Sequence, residues 1–198
     1  SLPNGEAQKI VKKIFIYKNL KFIDLSADFR LTNPQDFKKW YSIKHKAKNL
    51  IKNCLYSISE FNKKKLKNFR IISNPGCYPT SIQLALLPLI SAKIIDIKRI
   101  IIDSKSGFSG AGKNFKKKFK GRNIYKSIEA YGIEKHRHMS ELDQEIKKRT
   151  NKKFFYSFNP HVIPTFRGLI SSIYLELNKG ITIRDAINCL KKFHKKNF

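Results

Sequence analysis

The apolar positions of this chain form short runs in its first third and longer, often alternating runs further on. FIDLS, at residues 22–26, and NFRIISNPG, at 68–76, each predict a buried strand that ends in polar or turn-forming residues. Between them, residues 33–67 are polar, aromatic and rich in lysine, which predicts loops and short helices.

Beyond residue 77 the predicted elements are longer. The residues after Thr80 are apolar on most sides of a helix, so we expect that helix to be buried. A strand from Lys98 runs into a glycine-rich loop, Ser140 is placed to cap a helix, and residues 154–162 and 169–177 alternate as half-buried strands do. Thr182 is placed to cap a last helix with one apolar face, made of Ile183, Ala186, Ile187, Leu190 and Phe193. The change of pattern predicts a boundary that separates 1–76 from 77–198.

The charge of the chain, +28, is its most unusual bulk property. A nucleic acid or an anionic membrane is one interpretation. However, 34 of the 42 basic residues are Lys, whereas base recognition and bidentate phosphate contacts favour Arg. The lysines are also scattered as pairs and triplets along the whole chain. We therefore interpret the charge as a compositional bias and expect neither a specific nucleic acid nor a membrane as partner.

Compartment and metal binding follow from what the sequence lacks. No apolar run approaches the roughly 18 residues that span a bilayer, and the amino end has no apolar signal-peptide core. Three cysteines without paired spacing do not indicate a disulfide framework or a structural metal site. We expect a cytoplasmic protein without a bound metal.

Cys77 lies in NPGCYPT, between a Pro-Gly corner and the predicted buried helix. The amino end of a helix stabilises a thiolate through its unpaired N–H groups and the positive end of its dipole. Cys77 is therefore a candidate nucleophile, although an inert structural cysteine fits the same pattern. Cys54, in a predicted loop, and Cys189, on an amphipathic helix, have no comparable surroundings.

A nucleophilic thiol needs a proton acceptor, and HRHMSE places His136, His138 and Glu141 together at the start of a helix. This spacing suits an imidazole that a carboxylate orients, or equally a solvated helix start. His45 is expected at the surface.

Further candidates lie in loops. SKSGFSGAGK has small residues that let a ligand approach the backbone, but it is neither a P-loop nor a dinucleotide fingerprint. Arg30 and Arg167 follow predicted strands, where they could bind an anionic substrate or form surface ion pairs.

Taken together, these motifs resemble the N-acetyl-gamma-glutamyl-phosphate reductase family of arginine biosynthesis. The matching segments, in order, are LPNG, IDLSADFRL, WYS, SNPGCYPTSIQLALLPLI, DSKSGFSGAGK, YGIEKHRHMSE and FNPHVIPTFRGLISSIYLEL. The resemblance implies an α/β fold: the remainder of a Rossmann NADP-binding domain at 1–76, then an α+β catalytic and dimerisation domain with a mixed sheet at 77–198, similar to glyceraldehyde-3-phosphate dehydrogenase.

The resemblance also implies site roles. Cys77 would be the nucleophile, His136 the general acid/base with His138 as the alternative, and Glu141 the residue that orients the histidine. Arg30 and Asn74 would contact the phosphate, and Arg167 another anionic part of the substrate. NADP(H) would lie against a loop in which the cofactor-binding residues are Ser106, Gly107, Ser109, Gly110 and Gly112.

The implied reaction is the NADPH-dependent reduction of N-acetylglutamyl 5-phosphate to the semialdehyde, in a homo-oligomer. The family's amino-terminal dinucleotide fingerprint and its carboxyl-terminal segment have no match in this chain. We therefore expect an internal fragment with little turnover by itself. An aspartate-semialdehyde dehydrogenase-like enzyme and a non-catalytic polyanion-binding module are the alternatives.

Overall fold

A computed structural model describes residues 2–111, 123 and 126–195 and confirms an α/β architecture with a mixed sheet. The chain divides into two compact units, Ser1–Gly76 with Ser140–Gln144, and Cys77–Met139 with Glu145–Phe198. The inclusion of a short helical segment, 140–144, in the first unit was not predicted. The assignment of the units to nucleotide binding and catalysis stays a prediction.

The first unit contains a parallel sheet of three short strands. These are β1 (Phe22–Asp24), β2 (Cys54–Tyr56) and β3 (Ile71–Ser73), in the order β1-β3-β2. Three helices accompany them: α1 (Glu6–Ile14), α2 (Pro34–Tyr41) and α3 (Ser59–Asn62). The central strand, β3, places Ile71 in a cluster with Val11, Phe29, Ala47 and Leu50. The apolar run of the sequence thus becomes the centre of this core.

A polar loop after β1 holds the amino end of α1. The fully buried carboxylate of Asp28 accepts hydrogen bonds from the backbone N–H groups of Gly5 (2.6 Å) and Gln8 (3.0 Å). Gly5 has φ 92°, a conformation that favours glycine. Since the first N–H groups of a helix have no partner inside it, Asp28 supplies the cap that α1 lacks locally.

The second unit contains a mixed sheet of four strands. These are β4 (Ile95–Gly107), β5 (Glu129–Ala130), β6 (Tyr156–Ile163) and β7 (Leu169–Leu177), in the order β5-β6-β4-β7. Strand β4 is parallel to β6, and the two other pairs are antiparallel. Strand β7 has the predicted bounds. The unit's helices are α4 (Cys77–Ser91), most of α5 (Met139–Arg149) and α6 (Ile183–Lys195).

Helices α4 and α6 pack against each other, and α4 also contacts β4 and β7. The predicted burial of α4 is confirmed, because Ile82, Leu86 and Leu87 are almost inaccessible. Helix α6 has the predicted cap, in which Thr182 and Asp185 exchange hydrogen bonds. Its predicted apolar face is not fully covered, however, since Ile183 is 72% and Ile187 46% exposed. No helix in the described part of the chain is long and apolar enough to cross a bilayer.

Candidate active site

Cys77 is the first residue of α4, and its thiol is exposed. The free N–H groups at the start of a helix and the positive dipole end both stabilise a thiolate. The two other cysteines are only half-exposed, and both donate to backbone carbonyls, Cys54 to Phe29 (3.4 Å) and Cys189 to Pro88 (3.7 Å). Burial also raises the pKa of the Cys189 thiol. Cys77 is thus the best placed of the three to react.

His136 and His138 lie side by side in the second unit, with ring centroids 4.8 Å apart. The ring of Tyr78, the residue after the candidate nucleophile, contacts both, at 5.7 Å and 5.9 Å. The backbone N–H of His138 donates to Nδ1 of His136 at 3.2 Å. Because Nδ1 accepts this bond, the neutral ring of His136 carries its proton on Nε2.

A chain of hydroxyl groups borders the histidines. Tyr131 donates to the hydroxyl of Tyr78 (3.3 Å), which donates to Ser106 (3.0 Å). The ring of Tyr131 also contacts His136, at 5.5 Å. Burial raises the pKa of Tyr131 strongly, and Tyr78 and a negative charge on Cys77 add to the shift. A thiolate at Cys77 therefore disfavours ionisation of Tyr131. The sequence analysis missed Tyr131, although it lies only five residues before His136.

Glu141 is fully buried in the first unit, where both carboxylate oxygens have donors. Oε1 accepts from Arg30 at 3.1 Å, and Oε2 accepts from the Tyr56 hydroxyl and from the backbone N–H of Gly76, each at 2.9 Å. Burial raises the pKa of Glu141, while Arg30 and the donors Gly76 and Tyr56 act in the opposite direction. These contacts were not predicted, and the expected role of orienting a histidine stays a prediction.

Arg30 is buried, and its three nitrogens donate inside the first unit. Nε binds the carbonyl of Asn74 (2.9 Å), Nη2 that of Leu25 (3.3 Å), and Nη1 binds Glu141. These contacts do not favour the predicted phosphate contact. Asn74 is exposed, and its side-chain amide donates to the Pro75 carbonyl at 3.1 Å. Its phosphate contact stays a prediction.

The glycine-rich loop packs against residues 165–168 of its own unit. The N–H groups of Gly107, Phe108 and Ser109 donate to carbonyls of that segment at 2.9–3.0 Å. A Cβ on Gly107 would lie 2.8 Å from the backbone oxygens of Thr165 and Phe166, so packing alone requires glycine at this position. Gly110 is exposed, and Gly112 lies outside the described residues. The cofactor role of these residues stays a prediction.

Arg167 lies between β6 and β7 with an exposed side chain, and its guanidinium is 5.3 Å from the ring of Phe166. This position leaves it accessible to an anion. Elsewhere, the expectation of a surface histidine at position 45 is wrong. His45 is 3% exposed, because its ring fills a space between Phe29 and Phe37.

The family model for the dimerisation domain of semialdehyde dehydrogenases matches residues 77–198. The chain belongs to the semialdehyde dehydrogenase family. Among its most similar curated relatives, one named N-acetyl-gamma-glutamyl-phosphate reductase, from Brachyspira hyodysenteriae, is 45% identical over 98% of this chain and 57% of its own length. A probable chloroplastic N-acetyl-gamma-glutamyl-phosphate reductase of Arabidopsis thaliana is 42% identical over 96% of this chain and 47% of its own length. The chain thus spans about half the length of the curated relatives it matches.

Solved structures of the family share the fold at low sequence identity. Aspartate semialdehyde dehydrogenase II from Vibrio cholerae superposes with a TM-score of 0.67 and 19% identity, over 97% of this chain and 58% of that one. The Candida albicans aspartate semialdehyde dehydrogenase, solved with NADP, gives a TM-score of 0.56 and 15% identity, over 97% of this chain and 54% of that one. These likenesses support the fold and leave the substrate open.

Proposed function

We propose that this chain carries the catalytic residues of an N-acetyl-gamma-glutamyl-phosphate reductase, which reduces N-acetylglutamyl 5-phosphate to the semialdehyde in arginine biosynthesis. The observation that carries the proposal is the exposed thiol of Cys77 at the start of α4, in the same unit as His136 and His138. The names of the most similar relatives support this substrate.

Cys77 performs the first step. Its thiolate attacks the acyl carbon, the bond from that carbon to the phosphate oxygen breaks, and inorganic phosphate leaves as a thioester forms. NADPH would supply the hydride that reduces the thioester. The resulting thiohemiacetal then loses the thiol and releases the aldehyde. A thioester suits the hydride step because its carbonyl carbon accepts nucleophiles more readily than that of a carboxylate.

The two histidines take different roles. Since Nδ1 of His136 accepts a backbone hydrogen bond, its Nε2–H is a donor suited to the carbonyl oxygen, where negative charge develops. His138 is then the group that accepts the thiol proton and later returns it to the sulfur of Cys77 as the thiohemiacetal collapses. This assigns the acid/base role to the alternative rather than to His136.

The remaining binding roles go to exposed groups. Asn74 and Arg167 are accessible to the phosphate and to another anionic part of the substrate. The glycine-rich loop uses the N–H groups of residues 107–109 internally, so these donors do not fit a cofactor, whereas Gly110 is exposed.

The outer face of the four-stranded sheet is a candidate interface for a second copy. It exposes Ile101, Ile170 and Tyr174, each at least half accessible, on neighbouring strands. Apolar patches of this kind mark contact surfaces, and the matching family model is a dimerisation domain. We propose that the protein forms a homo-oligomer through this face. In the part of the chain that the structure describes, all three cysteines are thiols, which fits a reducing compartment such as the cytoplasm.

Thiol labelling tests the nucleophile directly. At near-neutral pH, iodoacetamide should modify Cys77 at least tenfold faster than Cys54 or Cys189, and Cys77→Ser should remove the fast phase. Cys54→Ser and Cys189→Ser are the matched controls, which should leave it unchanged. Equal labelling of all three thiols in the folded protein would contradict the proposal.

Substrate choice separates the remaining alternatives. Because the chain spans about half the length of its relatives, turnover is measured in a protein of their full length, in the phosphate-dependent reverse direction. Use of aspartate semialdehyde instead of N-acetylglutamate semialdehyde would assign the alternative dehydrogenase. A polyanion-binding module would instead bind one nucleic acid sequence preferentially after salt has screened the charge.

A further inference from the structure

We infer that Glu141 is a positioning residue that holds the peptide leading into Cys77, through its hydrogen bond with the N–H of Gly76. The inference rests on the proposed function, because the position of that peptide affects catalysis only if Cys77 is the nucleophile. It differs from the sequence-based expectation, in which Glu141 acts on a histidine. All the contacts that carry it lie within the first unit: Glu141, Arg30, Tyr56 and Gly76.

The bond at Gly76 is well placed for such a role. Gly76 is buried, it precedes the nucleophile directly, and its N–H donates to Oε2 of Glu141 at 2.9 Å. A backbone group bound to a fully buried carboxylate has little freedom, because charge-assisted hydrogen bonds are short and strong. The peptide plane that joins Pro75 to Gly76, directly before Cys77, is therefore held in place.

Arg30 and Tyr56 hold the carboxylate itself. Arg30 pairs with Oε1 and also binds the carbonyls of Asn74 and Leu25, so one guanidinium connects Glu141 with the corner that precedes Gly76. Tyr56, the last residue of β2, donates to the same oxygen as Gly76 does. The loop after β1, the end of β2 and the corner after β3 are thus joined through Glu141.

The variant Glu141→Gln tests the bond at Gly76 specifically. Its amide keeps the shape of the carboxylate but has one acceptor atom, and the charged Arg30 is the strongest donor for it. The carbonyl oxygen should turn to Arg30, which places the NH₂ group opposite Gly76. Tyr56 can adapt by rotating its hydroxyl, whereas a backbone N–H cannot accept.

The readout is amide hydrogen exchange of Gly76, followed by NMR in the folded protein. In Glu141→Gln we expect at least tenfold faster exchange at Gly76. The amides of Asn74 and Ser57, which donate to backbone carbonyls of the same unit, should keep their rates. In the full-length enzyme kcat should fall about tenfold while KM changes less than twofold, since substrate contacts are retained.

Three further variants keep the test decisive. Glu141→Asp retains a carboxylate on a shorter side chain, which the long side chain of Arg30 can still reach but the backbone N–H of Gly76 cannot. It should therefore also speed exchange at Gly76. This variant keeps the inference testable if Glu141→Gln does not fold. Tyr56→Phe removes a donor from the same oxygen and should leave Gly76 protected. Glu145→Gln, one turn further along α5, alters a carboxylate that is also buried but pairs with Lys148 and Arg149, and should change neither readout.

An unchanged exchange rate of the Gly76 amide in both Glu141 variants would overturn the inference. So would a loss of Gly76 protection in Tyr56→Phe as large as in the Glu141 variants. The inference would also fail if Glu141→Gln changed the pH dependence of kcat while the Gly76 amide stayed protected. Glu141 would then act on the histidine, as the sequence analysis expected. Retention of turnover by Cys77→Ser would overturn the proposed function alone, since Gly76 exchange is measured without substrate.

Discussion

Two histidines of this protein share one local motif and differ in their surroundings. In each case the backbone N–H two residues later donates to Nδ1, from Ala47 to His45 at 3.1 Å and from His138 to His136 at 3.2 Å. Both neutral rings therefore carry the proton on Nε2. His45 lies in the first unit and His136 in the second, so the motif recurs in unrelated places.

The surroundings decide what each ring can do. The Nε2–H of His45 donates to the carbonyl of Asp28 at 2.9 Å, and the phenyl rings of Phe29 and Phe37 enclose it. His136 is half-exposed and contacts the rings of two tyrosines whose hydroxyls form a hydrogen-bond chain. A fixed tautomer thus serves packing in one place and is suited to chemistry in the other. What separates them is access and neighbouring hydroxyl groups.

The largest expected effect comes from comparing substitutions of His136 and His138, which have different proposed roles. General acid–base catalysis contributes about 10²- to 10⁴-fold, so His138→Gln should lower kcat at least about 100-fold. His136→Gln keeps an N–H donor and should lose about tenfold or less. Steady-state kinetics of the full-length enzyme would measure both, and the opposite ranking would show that His136 is the acid/base.

Removal of one hydroxyl should have a smaller effect. Tyr131→Phe retains the ring against His136 but removes the donor to Tyr78, so we expect a three- to tenfold fall in kcat. It should also lower the unfolding free energy by about 1 kcal/mol, the usual net value of a hydrogen bond. Tyr17→Phe is the matched control, because Tyr17 is exposed. Equal effects of the two substitutions would break the distinction drawn here.

The smallest expected effect concerns His45 and stability. Burial lowers the pKa of His45 from its ordinary 6.5. The stabilisation from its neutral form is therefore complete above about pH 6.5 and is lost as pH falls towards the folded-state pKa, by up to about 1.4 kcal/mol per pH unit in that window. Chemical unfolding between pH 7 and pH 5 measures this slope.

His45→Asn supplies the control for that slope. Its Oδ1 can accept from Ala47 in place of Nδ1, but it does not titrate, so part of the pH dependence should disappear even though the variant is less stable at pH 7. An unchanged slope would show that His45 does not carry it.

Local features of the fold were predictable from the sequence. The bounds of β7 and the Thr182 cap follow from alternation and capping chemistry, which are properties of neighbouring residues. The amphipathic helix α1 was missed, and so was β2, because three residues within a polar segment carry too little pattern.

The candidate site was predictable only in part. Cys77 and the two histidines stand in short, specific motifs, and their residue types indicate their chemistry. The partners of Glu141 lie 65 to 111 residues away along the chain, and no local pattern records such pairings. The burial of His45 was missed for the same reason, since Phe29 and Asp28 come from a separate loop.

The assignment of Ser140–Gln144 to the first unit has a consequence for the expression of that unit by itself. Expression of residues 1–76 alone, the obvious cut from the sequence, would deprive the guanidinium of Arg30 of its counterion and Gly76 of its acceptor. Loss of one partner from a buried ion pair costs about 3–5 kcal/mol, a large share of what a small domain has. A peptide covering the missing turn, added in trans or fused by a linker, would be needed to recover a soluble, folded product.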